Sequence, residues 1–327
     1  MAVNSQRRTL VWGAMLGAGV ALTPAHLRAQ TTARTLRMVL PFPSGVPDML
    51  AREVGAAMAT QLGQTLVVEN KPGGSGQIAA AEVLSRPADG SHLLVGHIGT
   101  HAINPAIFAK LSYRPQEDFL PVLLLASSPI VLVVSASLPV HNLKDLQAYA
   151  KTHPGQLNYG SPGIGSSGHL AGELIQQRAG FSMTHVPYKG GSQAMQDLLG
   201  GQVQLSVDTL SGVLAQLQGG RLRVIGLAAA QRSTLAPEVP TLEEQGLGGL
   251  QMGPWFGLFA RAGTPAADIQ RLARAGQQAL AQPELAERLR SRGLQLSGLG
   301  PVEFSAFVQA EAQRWAQVAR NAGLKAE

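Results

Sequence analysis

Apolar positions along the chain alternate between two spacings. Short continuous runs at 36–40, 65–70 and 92–96 are separated by stretches where apolar residues recur every three or four positions. The runs predict strands and the recurrences predict helices. Met49, Leu50, Val54, Met58 and Leu62 fall on one helical face, with Asp48 at the expected N-cap, and 78–84 reads as a second helix. The order βαβαβ predicts a parallel sheet flanked by helices.

Two further apolar runs, 119–126 and 130–134, are interrupted by Ser127-Ser128-Pro129. The break predicts two strands and a crossing into a second domain, not a membrane span. There the alternation resumes. A helix begins after Asn142, a strand spans 157–159, and a helix runs from 170 to 178. Strands at 183–186, 203–208 and 222–227 alternate with helices around 194–199 and 213–217, and a short helix is expected from 239 to 246. A strand at 251–260 precedes helices at 266–280, 283–292 and 302–322, with a strand at 294–296. Pro283 suits a first helical turn. No long linker or low-complexity tract occurs, so the chain is expected to cross twice between two domains. The expected boundaries are 30–132 plus 253–327 for domain 1 and 133–252 for domain 2, with the ligand cleft between them.

Composition narrows the possibilities. The 327 residues are 45% hydrophobic and 14% charged, which fits a globular chain with substantial cores. Cysteine is absent, which excludes disulfides, thiolate metal sites and a cysteine nucleophile. The net charge is +6, and three of its basic residues, Arg7, Arg8 and Arg28, fall in an acid-free leader of 29 residues. The remaining +3 is too mild and too scattered for a nucleic-acid partner. The leader reads as an export signal: an apolar run at 10–22 follows Arg7-Arg8, then come Pro24 and a small residue, Ala29, after which cleavage is expected. Ser5-Gln6-Arg7-Arg8-Thr9-Leu10-Val11 is twin-arginine-like, with Sec export as the alternative. The body of the protein is therefore expected to work outside the cytoplasm.

Four loops lie at carboxyl ends of predicted strands: 41–48, 98–104, 161–169 and 187–192. Ligands of open parallel sheets bind outside those ends. All four are rich in Gly, Ser, Thr or Pro, with Asp48 the sole acid and Lys189 the sole lysine. This favours recognition of an anion by backbone N–H groups and hydroxyls over acid–base chemistry. Gly163, Gly165 and Gly168 spell G-x-G-x-x-G, but no acid occurs between Glu173 and Asp197 to hold a ribose, so the dinucleotide reading fails. The same residues also fit an ordinary tight βα turn. Ser166 or Ser167 near His169 or His185 could suggest a serine hydrolase, yet His169 replaces the last glycine of a G-x-S-x-G elbow. His97 and His101 are four apart without an accompanying cluster, which favours structural histidines over a metal site. Trp255-Phe256 reads as core at the domain junction. No catalytic residue, metal or cofactor is expected.

The ordered motifs then carry a resemblance. They include Val39-Leu40-Pro41-Phe42-Pro43, Val67-Val68-Glu69-Asn70-Lys71-Pro72-Gly73, Pro87-Ala88-Asp89-Gly90 and Thr100-His101-Ala102-Ile103-Asn104-Pro105. Further on stand Leu157-Asn158-Tyr159-Gly160-Ser161, His169-Leu170-Ala171-Gly172-Glu173, His185-Val186-Pro187-Tyr188-Lys189-Gly190 and Trp255-Phe256-Gly257-Leu258. In these the chain resembles the Bug (TctC-like) family of substrate-binding proteins of tripartite tricarboxylate transporters, over nearly all of its length after the leader. The resemblance implies an α/β fold: a two-domain periplasmic-binding-protein clamshell, each domain a mixed, mostly parallel sheet flanked by helices. It implies a monomeric periplasmic receptor, not an enzyme, that closes on a small carboxylate and delivers it to membrane permease subunits. A ligand sensor reporting to a signalling partner is the alternative. The candidate ligand-binding residues are Phe42, Ser44, Gly45 and Asp48 in the first jaw, Gly165, Ser166, Ser167 and His169 in the second, and Thr100, His101, Tyr188 and Asp208 around them. In one respect the chain departs from the family. Pro41-Phe42-Pro43-Ser44-Gly45-Val46-Pro47-Asp48 is one residue shorter than the usual first loop and lacks the Thr before Asp48.

Overall fold

A computed structural model describes residues 35–43, 45–164, 166–217 and 219–321. The expected export signal and its cleavage site lie outside the described residues, as do Ser44 and Gly165.

The first sheet has the order β11-β4-β10-β3-β1-β2. Its strands are β1 (Thr35–Leu40), β2 (Thr65–Asn70), β3 (His92–His97), β4 (Phe119–Ser127), β10 (Trp255–Arg261) and β11 (Gln295–Leu296). The second sheet has the order β7-β6-β8-β5-β9, from β5 (Ile130–Ser135), β6 (Asn158–Ser161), β7 (Thr184–Pro187), β8 (Leu205–Thr209) and β9 (Leu222–Ala228). Each sheet contains a parallel block, β2-β1-β3 or β7-β6-β8, and antiparallel strands complete it. The sheets are therefore mixed. Strands β5 and β10 run against the parallel blocks because they carry the chain in from the edge where the blocks end.

Helices α1 (Val46–Leu62), α2 (Gln77–Leu84), α3 (Asn104–Ile107), α8 (Ala266–Leu280), α9 (Pro283–Arg290) and α10 (Pro301–Asn321) belong with the first sheet. Helices α4 (Leu143–Thr152), α5 (Ser167–Ala179), α6 (Gly191–Leu199) and α7 (Leu210–Leu217) belong with the second. The C-terminal helices return to the first sheet as expected: α8 and α10 pack on β4. Met38, Leu50, Val54, Met58 and Leu272 meet in one apolar cluster between α1, α8 and the sheet, which is why α1 carries its apolar stripe. Glu311 on α10 is buried, and its Oε2 accepts from the indole Nε1–H of both Trp255 and Trp315 at 3.0 Å.

Several expectations change. The N-cap of α1 is Gly45, and Asp48 sits in the first turn, because the helix starts two residues earlier at Val46, with Pro47 suited to that turn. The loop expected at 98–104 is helical: a single π-helical segment, Gly99–Ile103, runs directly into α3. The short helix expected at 239–246 is a set of turns. Thr241 and Glu244 do cap each other there, at 3.0 and 2.6 Å, but Leu247 N–H returns to Leu242 O and Gly246 takes a left-handed φ of 86°. A capping box is thus satisfied without a helix behind it. The expected domain break after 132 falls inside β5, whose first three residues already pair with β8 and β9.

Candidate functional site

Topology brings two strand edges together. The parallel strands of the first sheet end at Leu40, Asn70 and His97, and β4 ends on the same side at Ser127. Three residues later β5 begins, with Ile130 opposite Thr209 at the carboxyl end of β8. The carboxyl edges of both parallel blocks therefore meet at this crossover. The return crossover lies beside it: Ile130 N–H donates to Met252 O at 2.9 Å, and Ser128 N–H to Pro254 O at 3.0 Å. Ser128, buried between the lobes, bonds Ser211 Oγ at 2.9 Å in the second lobe and Gly293 O at 3.3 Å in the first.

On the first lobe, Phe42, Gly45 and Asp48 lie in the loop after β1 and the start of α1. Gly45 supplies no side-chain cap, so the N–H groups of Val46 and Asp48 are free of one, and Pro47 between them carries no N–H. Such a helix start attracts anions. A chain of contacts fixes the loop from below. Asp48 Oδ2 accepts from Arg52 Nε at 2.9 Å, Arg52 Nη2 donates to Asn70 Oδ1 at 3.2 Å, and Asn70 Nδ2 donates to Phe42 O at 3.0 Å. The Arg52 hydrogen bond holds the Asp48 carboxyl below the usual range against the opposing effect of burial. The Phe42 ring rests on His97 at 4.5 Å and on the edge of Phe256 at 5.8 Å. Arg52 and Asn70 were not candidates from sequence, although the i,i+4 spacing of Asp48 and Arg52 is a readable signal.

On the second lobe, Ser166 caps α5: its Oγ accepts from His169 N–H at 3.2 Å. Ser167 is the first helical residue. The glycines explain why the helix can start there. Gly163 has φ 133°, and a Cβ on Gly168 would lie 2.2 Å from Val207 O, so α5 begins directly against β8. These are the tight-turn and close-packing roles of a glycine-rich phosphate loop without its dinucleotide. Ser161 underpins the loop by accepting Gly163 N–H at 3.2 Å and pairing with His185 Nε2 at 2.7 Å. His185 stacks on His169 with ring centroids 4.0 Å apart. Burial lowers both imidazole pKa values, His185 to about 4 with help from His169, so both are neutral at pH 7.

A histidine–serine pair therefore exists, but its serine is Ser161, which is fully enclosed. Ser166 is committed to the helix cap, and Glu173, the nearby acid, bonds Tyr159 and Gln176 at 2.7 Å each. The Glu173 charge acts on both imidazoles, but neither Ser161 nor Ser166 presents a free nucleophile.

The candidate side chains separate into three groups. Phe42, Gly45 and Asp48 gather on one edge, and Ser166, Ser167, His169, Tyr188 and Asp208 on the other. Tyr188 turns its hydroxyl to Asp197 Oδ2 at 2.8 Å. Thr100 and His101 lie inside the first lobe at 0% exposure: the His101 ring stacks on Phe259 at 3.6 Å, and its Nδ1 meets Thr100 Oγ1 at 2.8 Å. His97 and His101 thus share packing, and among the described residues no cluster of three His, Asp or Glu side chains could hold a metal ion. Between the lobes, a cavity of about 620 Å³ is lined by Val46 at the start of α1, Ser211 and Leu214 of α7, and Arg292. Arg292 brings to this space a cation from outside the four loops, with Glu238 lining the same cavity, and nothing in its sequence neighbourhood signals that.

Two mixed sheets joined at facing strand edges define the clamshell of a solute-binding protein. Residues 50–324 match the family model of the tripartite tricarboxylate transporter family receptor, TctC. The protein BugT of Bordetella pertussis is 33% identical over 327 residues, covering 99% of both chains. The structure of Rpa4515 from R. palustris with adipate is 36% identical, covers 90% of this chain and 99% of that one, and superposes with a TM-score of 0.80. That of MatC (Rpa3494) from Rhodopseudomonas palustris with bound malate is 36% identical, covers 88% and 99%, and gives 0.75. The chain belongs to the TctC family of receptors and is a Bug-type member.

Proposed function

We propose that this protein is an exported, monomeric receptor that closes on a small carboxylated metabolite and delivers it to a membrane permease of the tripartite tricarboxylate type. The observation that carries the reading is the pair of helix starts on facing strand edges, α1 behind Gly45 and α5 behind Ser166. Free N–H groups at such starts hold a carboxylate without a fixed salt bridge. The adipate and malate held by two solved relatives support the ligand class. Residues 1–29 serve as the export signal in this reading. The first jaw is Phe42, Gly45 and Asp48, held by Arg52 and Asn70; the second is Ser166 and Ser167, held by Ser161 and His185. Hinge closure brings the two together.

Thermal denaturation against a panel of mono-, di- and tricarboxylates tests it. An acid present at 100 times its Kd adds about 2.7 kcal/mol, or roughly 4 °C in Tm for a chain of this size. A folded protein that no carboxylic acid stabilises would sink the reading.

A further inference from the structure

The second lobe leaves one carboxylate oxygen without a donor. Asp208, next to last in β8, is 6% exposed. Its Oδ1 accepts from Thr209 N–H at 2.7 Å, with Thr209 Oγ1 at 3.5 Å. Among the described residues no donor reaches Oδ2, and no lysine or arginine pairs with either oxygen. Glycines surround the group: a Cβ on Gly191 would stand 2.2 Å from Oδ2, and one on Gly212 would stand 3.3 Å from Oδ1. Larger residues at either position would fill the space around the carboxylate.

The position is that of the second jaw. Parallel pairing sets Gly160 abreast of Ser206, which places Asp208 level with Pro162 at the root of the 161–166 loop. The starts of α6 and α7 flank it, and their partial positive charge makes an unpaired carboxylate tolerable. Burial pushes its carboxyl up to about 6, so the group is still mostly ionised at neutral pH.

A ligand that covers this oxygen without donating to it leaves an anionic acceptor unsatisfied. A plain carboxylate bound at the start of α5 adds a like charge nearby and makes matters worse. A ligand that also brings an O–H or N–H relieves both. We propose that Asp208 reads a hydrogen-bond donor on the ligand, so that this receptor selects amino or hydroxy acids over the plain acids of the same skeleton. The proposal rests on the carboxylate-receptor reading. The competing view, that Asp208 only braces the starts of α6 and α7, gives it an effect on stability and none on the choice between ligands.

Titration calorimetry on the full mature chain separates these views. The probes are matched sets in which a plain acid is compared with its 2-hydroxy and 2-amino counterparts: propionate, lactate and alanine; succinate, malate and aspartate; glutarate, 2-hydroxyglutarate and glutamate; and adipate with its two counterparts. In each set that binds, the hydroxy or the amino member should bind at least about tenfold tighter than the plain acid, and which of the two prevails identifies the donor. Asp208→Asn should shrink that ratio towards one while circular dichroism shows it folded. A plain acid binding as tightly as both of its counterparts overturns the proposal with the wild-type protein alone, whatever becomes of the variant. An unchanged ratio in folded Asp208→Asn overturns it too. If no acid binds the folded wild type, the receptor reading itself fails, which is a different result from a plain acid winning.

Discussion

Gly168 is the position where packing and ligand recognition are hardest to separate, so Gly168→Ala is the most informative single change. The added Cβ would lie 2.2 Å from Val207 O, 3.3 Å from Val207 C and 3.0 Å from Pro162 Cδ. Two of these atoms are backbone of β8 and cannot swing aside, whereas ordinary contact begins near 3.4 Å. The start of α5 must therefore retreat by about 1 Å, an overpacking that costs about 1–3 kcal/mol and lowers Tm by roughly 2–5 °C. The same movement lengthens any hydrogen bond from the α5 N–H groups to a bound carboxylate from about 2.9 to about 3.9 Å, beyond bonding range. A lost bond to a charged acceptor is worth about 1.5–3 kcal/mol, or roughly 10- to 150-fold in Kd. Differential scanning fluorimetry gives the first quantity, and calorimetry with the tightest acid of the panel gives the second. A lower Tm with unchanged Kd would refute α5 as the carboxylate-binding helix. An unchanged Tm would refute the packing argument.

Two further changes test the frame around the site. Glu311→Leu leaves the indole N–H groups of Trp255 and Trp315 without an acceptor; at about 1–3 kcal/mol each, Tm should fall by at least roughly 3 °C, and a fall under about 1 °C would show that neither bond matters. Asp208 predicts a slope in stability with pH. Its folded pKa is raised from 3.8 to about 6, so stability is fully present below about pH 4 and is lost as pH rises through 6, by up to about 3 kcal/mol. Urea midpoints of wild type minus Asp208→Asn, measured from pH 4 to 8, should fall with pH, and a flat difference would contradict the burial of the charge.

Much of this was legible in the chain. Periodicity marks most strands and helices because each sheet strand and each covering helix buries one apolar face. The Ser127-Ser128-Pro129 break marks the crossover because a continuous strand cannot serve two sheets. Glycines 163 and 168 are legible as a tight turn and a close helix start, although the same letters suggest a dinucleotide. What the sequence hides is non-local. Local composition makes 98–104 look like a loop, yet Phe259, some 160 residues away, stacks on His101 and draws the segment into the core. Thr241 and Glu244 have helix-start chemistry, but Gly246 turns the chain before a helix can follow. The Asn70 link to Phe42 O, the Ser161–His185 pair and the bare Oδ2 of Asp208 each depend on which strands lie side by side. No spacing along the chain encodes that.

The two crossovers are tied to each other as well as to their sheets: Ser128 to Pro254, Ile130 to Met252, and Met252 to Ala228. Joined in this way they form a narrow ribbon, compliant across its face and stiff along its width. The Ser128 hydroxyl sits on its axis, touching both halves of the molecule. In the proposed function such a ribbon is the hinge about which the two sheets close. On that reading the length of the ligand would decide how near the start of α1 comes to the start of α5.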